Sequence, residues 1–133
     1  MNRMNMLRRM FSSSTTAKSN IYSITSKEAF SELIASPEHA SRAKIVDFYA
    51  DWCGPCRMLT PVLEKIAKEH ADRVMLIKVN TDAAPALAKE HAVFSLPTVK
   101  VLGTGTDGKV MEQFVGARDE RSVMNVLRKV VSL

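Results

Sequence analysis

The chain has few of the residues from which a disulfide scaffold or a metal site is built. It contains only 2 cysteines in 133 residues, and its 3 histidines are widely separated. A disulfide-rich domain needs more cysteines than this, and a zinc site needs three or four ligands. No apolar run approaches the roughly 18 residues that a membrane span requires. We therefore expect neither a metal site nor insertion into a membrane.

Acidic residues are missing from the N-terminal part of the chain, and this absence accounts for most of the positive net charge of the whole protein. None occurs before Glu28, whereas residues 1–20 contain four of the 19 Lys and Arg residues. The rest of the chain has 15 basic and 14 acidic residues, so it contributes only +1 to the net charge of +5. Because the body is so nearly neutral, there is no electrostatic reason to expect binding to nucleic acid.

Residues 1–20 are similar to a mitochondrial presequence. They are rich in Arg and Ser, and their apolar side chains are interspersed with Arg3, Arg8 and Arg9. These charges leave no apolar core of about 7 to 15 residues, which a secretory signal would need. We predict a targeting segment over residues 1–20, cleaved or disordered, and a folded domain over 21–133 in the mitochondrial matrix. A disordered basic tail on a cytoplasmic protein and a plastid transit peptide are the alternatives.

Strand-like and helix-like segments alternate after this leader. Continuous apolar runs are typical of strands covered on both faces, and two occur, AKIVDFYA at residues 43–50 and RVMLIKVN at 73–80. The segment between them, from Cys56 to His70, repeats apolar residues at helical spacing. A strand–helix–strand unit with so long a crossover is parallel and right-handed. The fold class is therefore α/β.

The remaining segments extend this unit at both ends. Thr25 and Glu28 have the spacing of a capping box at the start of one helix, and Asp119 is a candidate cap for the last helix. Four methionines that follow the leader are assigned to core filling: Met58, Met75, Met111 and Met124. The other segments predict a strand over residues 20–24, a short helix over 84–93 and an antiparallel hairpin over 97–116. We expect a central mixed β-sheet flanked by helices.

Both cysteines stand together behind the only tryptophan, Trp52. Cys53 and Cys56 are separated by Gly54 and Pro55, at the start of the predicted helix. Free N–H groups and the helix dipole stabilise a thiolate at this position, and two intervening residues allow a disulfide. Pro55 stiffens the first turn without loss of a helical hydrogen bond. The pair is therefore predicted to cycle between dithiol and disulfide, and two inert structural thiols are the alternative.

The stretch VDFYADWCGPC resembles the active-site strand and turn of the thioredoxin family. The resemblance extends over residues 21–133 and implies the thioredoxin fold, with helices on both faces of the sheet. It implies that Cys53 is the exposed attacking cysteine and Cys56 the buried resolving one. Gly54 and Pro55 between them are typical of reducing members, and with the leader the chain resembles a mitochondrial-type thioredoxin.

Asp47 lies inside the first buried run, where an ionised carboxylate is costly to bury without a partner. Its pKa should be raised, which makes Asp47 a candidate proton acceptor for Cys56, through water. The family has an aspartate at this position, beneath the resolving cysteine, and Lys78 matches the lysine near it. From the pattern alone, either residue could instead be an ordinary charged residue on an exposed strand face.

The segment SLPT, residues 95–98, resembles the family's loop in which a cis proline faces the cysteine pair. A cis bond at Pro97 would present the Leu96 backbone to an extended substrate segment. Trp52, Gly116 and Ala117 resemble the rest of the substrate contact surface. Without the family, Pro97 could be a trans proline that starts a strand, and Gly116 a strand terminator.

Two features depart from the family pattern. Tyr49 occupies a position where many members have tryptophan, and the hairpin loop between Leu102 and Val110 is longer than in many bacterial members. The first difference alters packing beside the active site. The second leaves the choice of partner at this loop open.

The resemblance implies a protein disulfide reductase that contributes to cell redox homeostasis. It would have no bound cofactor and would receive electrons from NADPH through a flavin-dependent thioredoxin reductase. Disulfide-containing proteins such as peroxiredoxins are the expected clients, and we expect a monomer. The alternative function is a thioredoxin-fold binding subunit or holdase chaperone that does not need its cysteines.

Overall fold

The computed structural model describes residues 20–133, so the predicted targeting segment, apart from Asn20, lies outside the described residues. Within this range the chain forms five strands and four α-helices. The strands are β1 (Ile21–Ile24), β2 (Ala43–Tyr49), β3 (Val74–Asn80), β4 (Thr98–Leu102) and β5 (Val110–Val115). The helices are α1 (Lys27–Ala35), α2 (Gly54–Glu69), α3 (Pro85–Glu90) and α4 (Glu120–Arg128), with a short 3₁₀ helix at Pro37–His39.

One mixed sheet contains all the described strands, in the order β1–β3–β2–β4–β5. β3 runs parallel to both β1 and β2, whereas β4 is antiparallel to β2 and to β5. The predicted parallel unit is thus β2–α2–β3, and the predicted hairpin is β4–β5. In the register of the parallel pair, Asp47 lies beside Lys78. These findings confirm the α/β class and the mixed sheet.

The hydrophobic core is divided between the two faces of the sheet. Ile45 and Leu76 belong to a cluster that α2 and α4 cover, whereas Val46 and Ile77 belong to a second cluster, beneath α1 and α3. This division follows from the alternation of side chains along a strand. Asp47 therefore lies on the α2 face. Helices flank both faces, as predicted.

The helix starts agree with the prediction at one end of the chain and differ from it at the other. Asp119 caps α4, because its Oδ1 accepts a hydrogen bond from the Ser122 N–H at 2.9 Å. The cap of α1 is Ser26 instead of Thr25, since Ser26 Oγ accepts from the Ala29 N–H at 3.1 Å. The predicted Thr25 cap is wrong by one residue.

Two of the four methionines assigned to the core are on the surface. Met75 and Met124 are buried, but Met58 and Met111 are exposed. Met58 lies one residue before the buried Leu59, so the apolar face of α2 is narrower than the sequence pattern suggested. Core filling is therefore wrong for Met58 and Met111.

The long hairpin loop is bound to the body of the protein through a buried lysine. Lys44 Nζ donates a hydrogen bond to the Gly105 carbonyl at 2.7 Å, and the Gly105 N–H donates to the Ala40 carbonyl at 2.6 Å. Gly105 has a positive φ of 99°, which glycine adopts without strain.

Among residues 20–133, no helix is long and apolar enough to cross a membrane.

Candidate active site

The two cysteines lie at the point where α2 begins. Cys53 is the N-cap of this helix, with φ −85° and ψ 112°, and it forms a disulfide with Cys56. The Cys56 N–H donates a hydrogen bond to Cys53 Sγ at 3.2 Å. The positive end of the helix is thus directed at the Cys53 sulfur, which favours a thiolate there once the disulfide is reduced.

The burial of Cys53 differs from the prediction. In the disulfide form Cys53 is only 4% exposed, hardly more than Cys56 at 2%, so the prediction of an exposed Cys53 is wrong for this form. Both residues lie in one cluster with Ala50, against which Tyr49 and Leu96 pack. The exposed positions are those around the pair, Trp52, Gly54 and Pro55.

Asp47 is fully buried on β2, beneath α2. Its Oδ2 accepts a hydrogen bond from the Thr60 hydroxyl at 2.8 Å, whereas Oδ1 has no hydrogen-bond partner among residues 20–133. Burial raises the pKa of Asp47 from an ordinary 3.8 to about 6, although the Thr60 hydrogen bond and the nearby Lys78 lower it. A carboxyl group with this pKa can both accept and release a proton near neutral pH.

Lys78 is the neighbour of Asp47 on β3, but its ammonium group is paired elsewhere. Lys78 Nζ lies 3.3 Å from Glu64 Oε2, in a half-buried ion pair between β3 and α2. The same ammonium lies 5.8 Å from the centre of the Tyr49 ring. Lys78 therefore acts on Asp47 through its charge, while Glu64 opposes that effect.

A pocket of about 330 Å³ opens beside Cys56 and Lys78. Such a volume accommodates several water molecules. Cys56, Thr60 and Lys78 all border the pocket, whereas Asp47 is fully buried and is linked to it through the hydrogen bond from Thr60. The remaining lining residues are Tyr49, Ala50, Asp51 and Arg57.

The loop before β4 packs against the cysteine pair. The Leu96–Pro97 peptide bond is cis, and Leu96 packs against the cluster that contains both cysteines. The Gly116 N–H donates a hydrogen bond to the Pro97 carbonyl at 2.9 Å, and Gly116 has a positive φ of 93°. Ala117 follows as an exposed residue. The structure therefore brings Leu96, Pro97 and Gly116 together.

Trp52 is 69% exposed, beside the first cysteine. Its indole N–H donates a hydrogen bond to Asp82 Oδ2 at 3.0 Å, which fixes the ring on the surface instead of in the core. The exposed indole and the neighbouring loop together give the surface around Cys53 an apolar character, suited to a protein substrate.

Sequence reasoning missed three side chains of this region. Thr60 and Glu64 follow Cys56 at intervals of four residues, so they share its face of α2. That spacing was visible in the sequence, but the contacts of Thr60 with Asp47 and of Glu64 with Lys78 were not. Phe94, two residues before Leu96, is 92% exposed, and its position in an apolar segment gave no sign of this.

Comparison with known proteins identifies the family. A sequence model of the thioredoxin family matches residues 21–129. The chain belongs to the thioredoxin family. A thioredoxin from Chlamydia trachomatis is 40% identical over 106 residues, which cover 80% of this chain and 95% of the relative.

Solved thioredoxin structures agree with the fold. Mitochondrial thioredoxin 3 from Saccharomyces cerevisiae, in its oxidized form, superposes with a TM-score of 0.66 at 31% identity, covering 81% of this chain and 94% of that one. A chain with the same TM-score and coverage, 30% identical, comes from a structure that addresses thiol resolution in a yeast mitochondrial 1-Cys peroxiredoxin via glutathione/thioredoxin systems.

This thioredoxin is a thiol–disulfide oxidoreductase of the disulfide-reductase type, with a redox-active Cys53–Cys56 pair. Thioredoxins have no bound cofactor, are reduced by thioredoxin reductase and act on proteins that contain disulfides. Among residues 20–133, no group of three or more His, Cys, Asp or Glu side chains is placed to hold a metal ion.

Proposed function

We propose that this protein reduces the disulfides of client proteins in mitochondria and is itself reduced by thioredoxin reductase at the expense of NADPH. The observation that supports the chemistry best is the disulfide at the N-terminus of α2, with the Cys56 N–H directed at Cys53 Sγ. A sulfur stabilised in this way is the better nucleophile of the pair at neutral pH.

The first step is attack on the client by Cys53. Its thiolate forms a bond to one sulfur of the client disulfide, and the second client sulfur leaves with the electron pair and takes a proton from solvent. The product is a mixed disulfide between Cys53 and the client. The hydrogen bond from the Cys56 N–H and the helix dipole make the attacking anion available.

The second step is resolution by Cys56. Asp47 takes the thiol proton of Cys56, through water in the pocket that Cys56 borders. The Cys56 sulfur then bonds to Cys53, and the client leaves as its second thiolate. The client has gained two electrons, and Cys53 and Cys56 have returned to the disulfide. Lys78 favours the ionised form of Asp47 through its charge.

Client recognition uses the surface around the cysteines. The backbone of Leu96, preceding the cis bond of Pro97, is available to pair with an extended client segment. Trp52, Gly116 and Ala117 extend this surface, and the exposed Phe94 adds apolar area beside the same loop. A surface of this kind suits unfolded or extended segments, because backbone pairing does not depend on the client sequence.

The mitochondrial location rests on the acid-free, Arg- and Ser-rich leader at residues 1–20. Among the similar solved structures, one is titled a mitochondrial thioredoxin and one concerns a yeast mitochondrial 1-Cys peroxiredoxin, which motivates the same proposal. Peroxiredoxins are accordingly the clients that we propose first. A reporter fused to residues 1–20 should enter mitochondria. Import into plastids, or a reporter that stays in the cytoplasm, would contradict the location but not the chemistry.

The decisive assay for the chemistry is insulin reduction with NADPH and thioredoxin reductase. The wild-type protein should support continuous NADPH oxidation, and Cys53→Ser should abolish it. Cys56→Ser should stop after one attack and retain the client as a mixed disulfide. A double Cys53→Ser/Cys56→Ser variant that keeps the full cellular function would instead favour a binding subunit or holdase.

A further inference from the structure

One face of α2 presents polar side chains to the sheet at regular intervals. Cys56, Thr60 and Glu64 follow each other by four residues, so they lie one above the next along the helix. Opposite them, Asp47 and Lys78 are register partners on β2 and β3. Thr60 donates a hydrogen bond to Asp47, and Glu64 pairs with Lys78. Each of these two helix residues therefore contacts one residue of the strand pair.

The two oxygens of Asp47 are not equivalent in this arrangement. Oδ2 accepts a hydrogen bond from the Thr60 hydroxyl at 2.8 Å. Oδ1 is buried and receives no hydrogen bond from residues 20–133. Thr60 lies four residues, about 6 Å along the helix axis, from Cys56, and both residues border the same pocket. The carboxyl group is therefore tied by one oxygen, and its other oxygen has no competing donor.

We propose that Thr60 is a positioning residue for resolution, whose hydroxyl fixes Oδ2 of Asp47 and so leaves Oδ1 to take the proton of Cys56. This inference rests on the proposed role of Asp47 as proton acceptor. The proton moves from Cys56 Sγ through water to Oδ1, and the sulfur electron pair forms the bond to Cys53 while the client thiolate departs. No reactant beyond the mixed disulfide is needed.

The same hydroxyl also sets the pH range in which Asp47 works. A hydrogen bond donated to a carboxylate stabilises its charged form, so Thr60 lowers the pKa that burial has raised. The other groups that act on Asp47 are Lys78 from β3, which favours ionisation, and Glu64 from α2, which opposes it. The Cys56 thiol, when ionised, would oppose it as well. Loss of the hydroxyl should therefore move the titration of Asp47 to higher pH.

The first test compares Thr60→Val, which keeps the shape and removes the hydroxyl, with Thr60→Ser, which keeps the hydroxyl. The carboxyl carbon of Asp47 is titrated by NMR in the oxidised proteins. We expect Thr60→Val to raise the midpoint of the Asp47 titration by about one pH unit, because the carboxylate loses a hydrogen bond. Thr60→Ser should titrate like the wild type. An unchanged midpoint in Thr60→Val, or an equal rise in Thr60→Ser, overturns the inference.

The second test follows resolution itself. The rate at which Cys56 releases a chromogenic thiol from a mixed disulfide at Cys53 is measured against pH. Thr60→Val should shift the half-maximal rate to higher pH, and in an Asp47→Asn background it should change nothing further. An undiminished effect in that background would show that the hydroxyl acts elsewhere. The NMR titration needs neither client nor reductase, so it separates failure of this inference from failure of the proposed function.

Discussion

A single buried carboxyl group couples the chemistry of this thioredoxin to its stability. Asp47 has no exposed surface, and its pKa of about 6 lies some two pH units above the ordinary 3.8. A folded-state pKa that is raised for an acid means that the folded protein binds this proton more tightly than the unfolded chain. Stability is therefore unaffected below pH 3.8, falls as the pH rises towards 6, and stays reduced above that value.

Replacement of Asp47 by Asn should therefore stabilise the protein at neutral pH. Two pH units correspond to about 3 kcal/mol, which is the upper size of the expected gain at pH 7. An asparagine retains an oxygen that can accept the Thr60 hydrogen bond. Urea unfolding at pH 7 and pH 4 measures the effect, and the gain should be much smaller at pH 4.

The same substitution should slow the reaction, because Cys56 loses its proton acceptor. We expect slower resolution of the mixed disulfide and an almost unchanged first attack by Cys53. An Asp47→Asn protein that is less stable than wild type at pH 7, or equally active at every pH, would remove Asp47 from the proposed role.

The two cysteines should differ in reactivity after reduction. Cys53 receives the hydrogen bond from the Cys56 N–H at the helix terminus, so its pKa should fall below the usual value of about 8.5 for a free thiol. Alkylation with iodoacetamide between pH 6 and 9, followed by peptide mass analysis, should modify Cys53 first. Earlier labelling of Cys56 would reverse the assignment of attacking and resolving cysteine.

At the residue scale, the sequence predicted what depends on local chemistry. Cys53 at a helix start and Asp47 within an apolar run could be identified because motif and burial pattern are local. The hydrogen bond from Thr60 could not, since it depends on which face of α2 meets which position of β2. The burial of Cys53 depends on Leu96, which is 43 residues away in the chain.

At the scale of elements, periodicity predicted the strands and helices well and their starts less well. A run with period 3.6 extends over many residues, so one misjudged position does not change the assignment. A cap depends on a single side chain. Thr25 and Ser26 both have hydroxyl groups, and the backbone decides between them: Ser26 has extended angles, φ −140° and ψ 153°, and its Oγ meets the Ala29 N–H.

These neighbours form a matched pair for testing the cap of α1. Ser26→Ala should lower the free energy of unfolding by about 1 kcal/mol, because the Ala29 N–H loses its partner at the helix start. Thr25→Ala should change it by less than about 0.5 kcal/mol, as an exposed position does. Thermal or urea unfolding of the two variants decides the matter. Equal losses would mean that the cap is shared, and a larger loss for Thr25→Ala would restore the predicted capping box.

At the scale of the whole molecule, pattern and family resemblance contributed different parts of the prediction. Buried runs and the long crossover indicated a parallel β2–α2–β3 unit. The position of β1 at the edge beside β3, however, depends on pairing across more than 50 residues. No local pattern specifies such a partner, and the resemblance supplied the overall fold instead.

The edge strand β1 is anchored by the residue that precedes it. Asn20, the last residue of the predicted leader, is buried beside this strand. Its side-chain amide donates hydrogen bonds to the Ala67 carbonyl at 2.7 Å and the Val74 carbonyl at 2.8 Å, and its own carbonyl accepts from the Leu76 N–H at 2.8 Å. Asn20 thus joins β1 to the end of α2 and the start of β3.

We therefore predict that a chain starting at Asn20 is as stable as the full chain, within about 0.5 kcal/mol, whereas Asn20→Ala in the full chain costs about 1 to 3 kcal/mol. The reason for the loss is that two buried carbonyls are left without their donor. A chain starting at Ile21 should lose at least as much, because the backbone hydrogen bond to Leu76 goes too. Urea unfolding of the four oxidised proteins measures these differences. If the chain starting at Asn20 is clearly less stable than the full chain, residues 1–19 contribute to the fold, and the leader is more than a targeting segment. If Asn20→Ala leaves the free energy of unfolding unchanged, the buried amide of Asn20 does not contribute to stability.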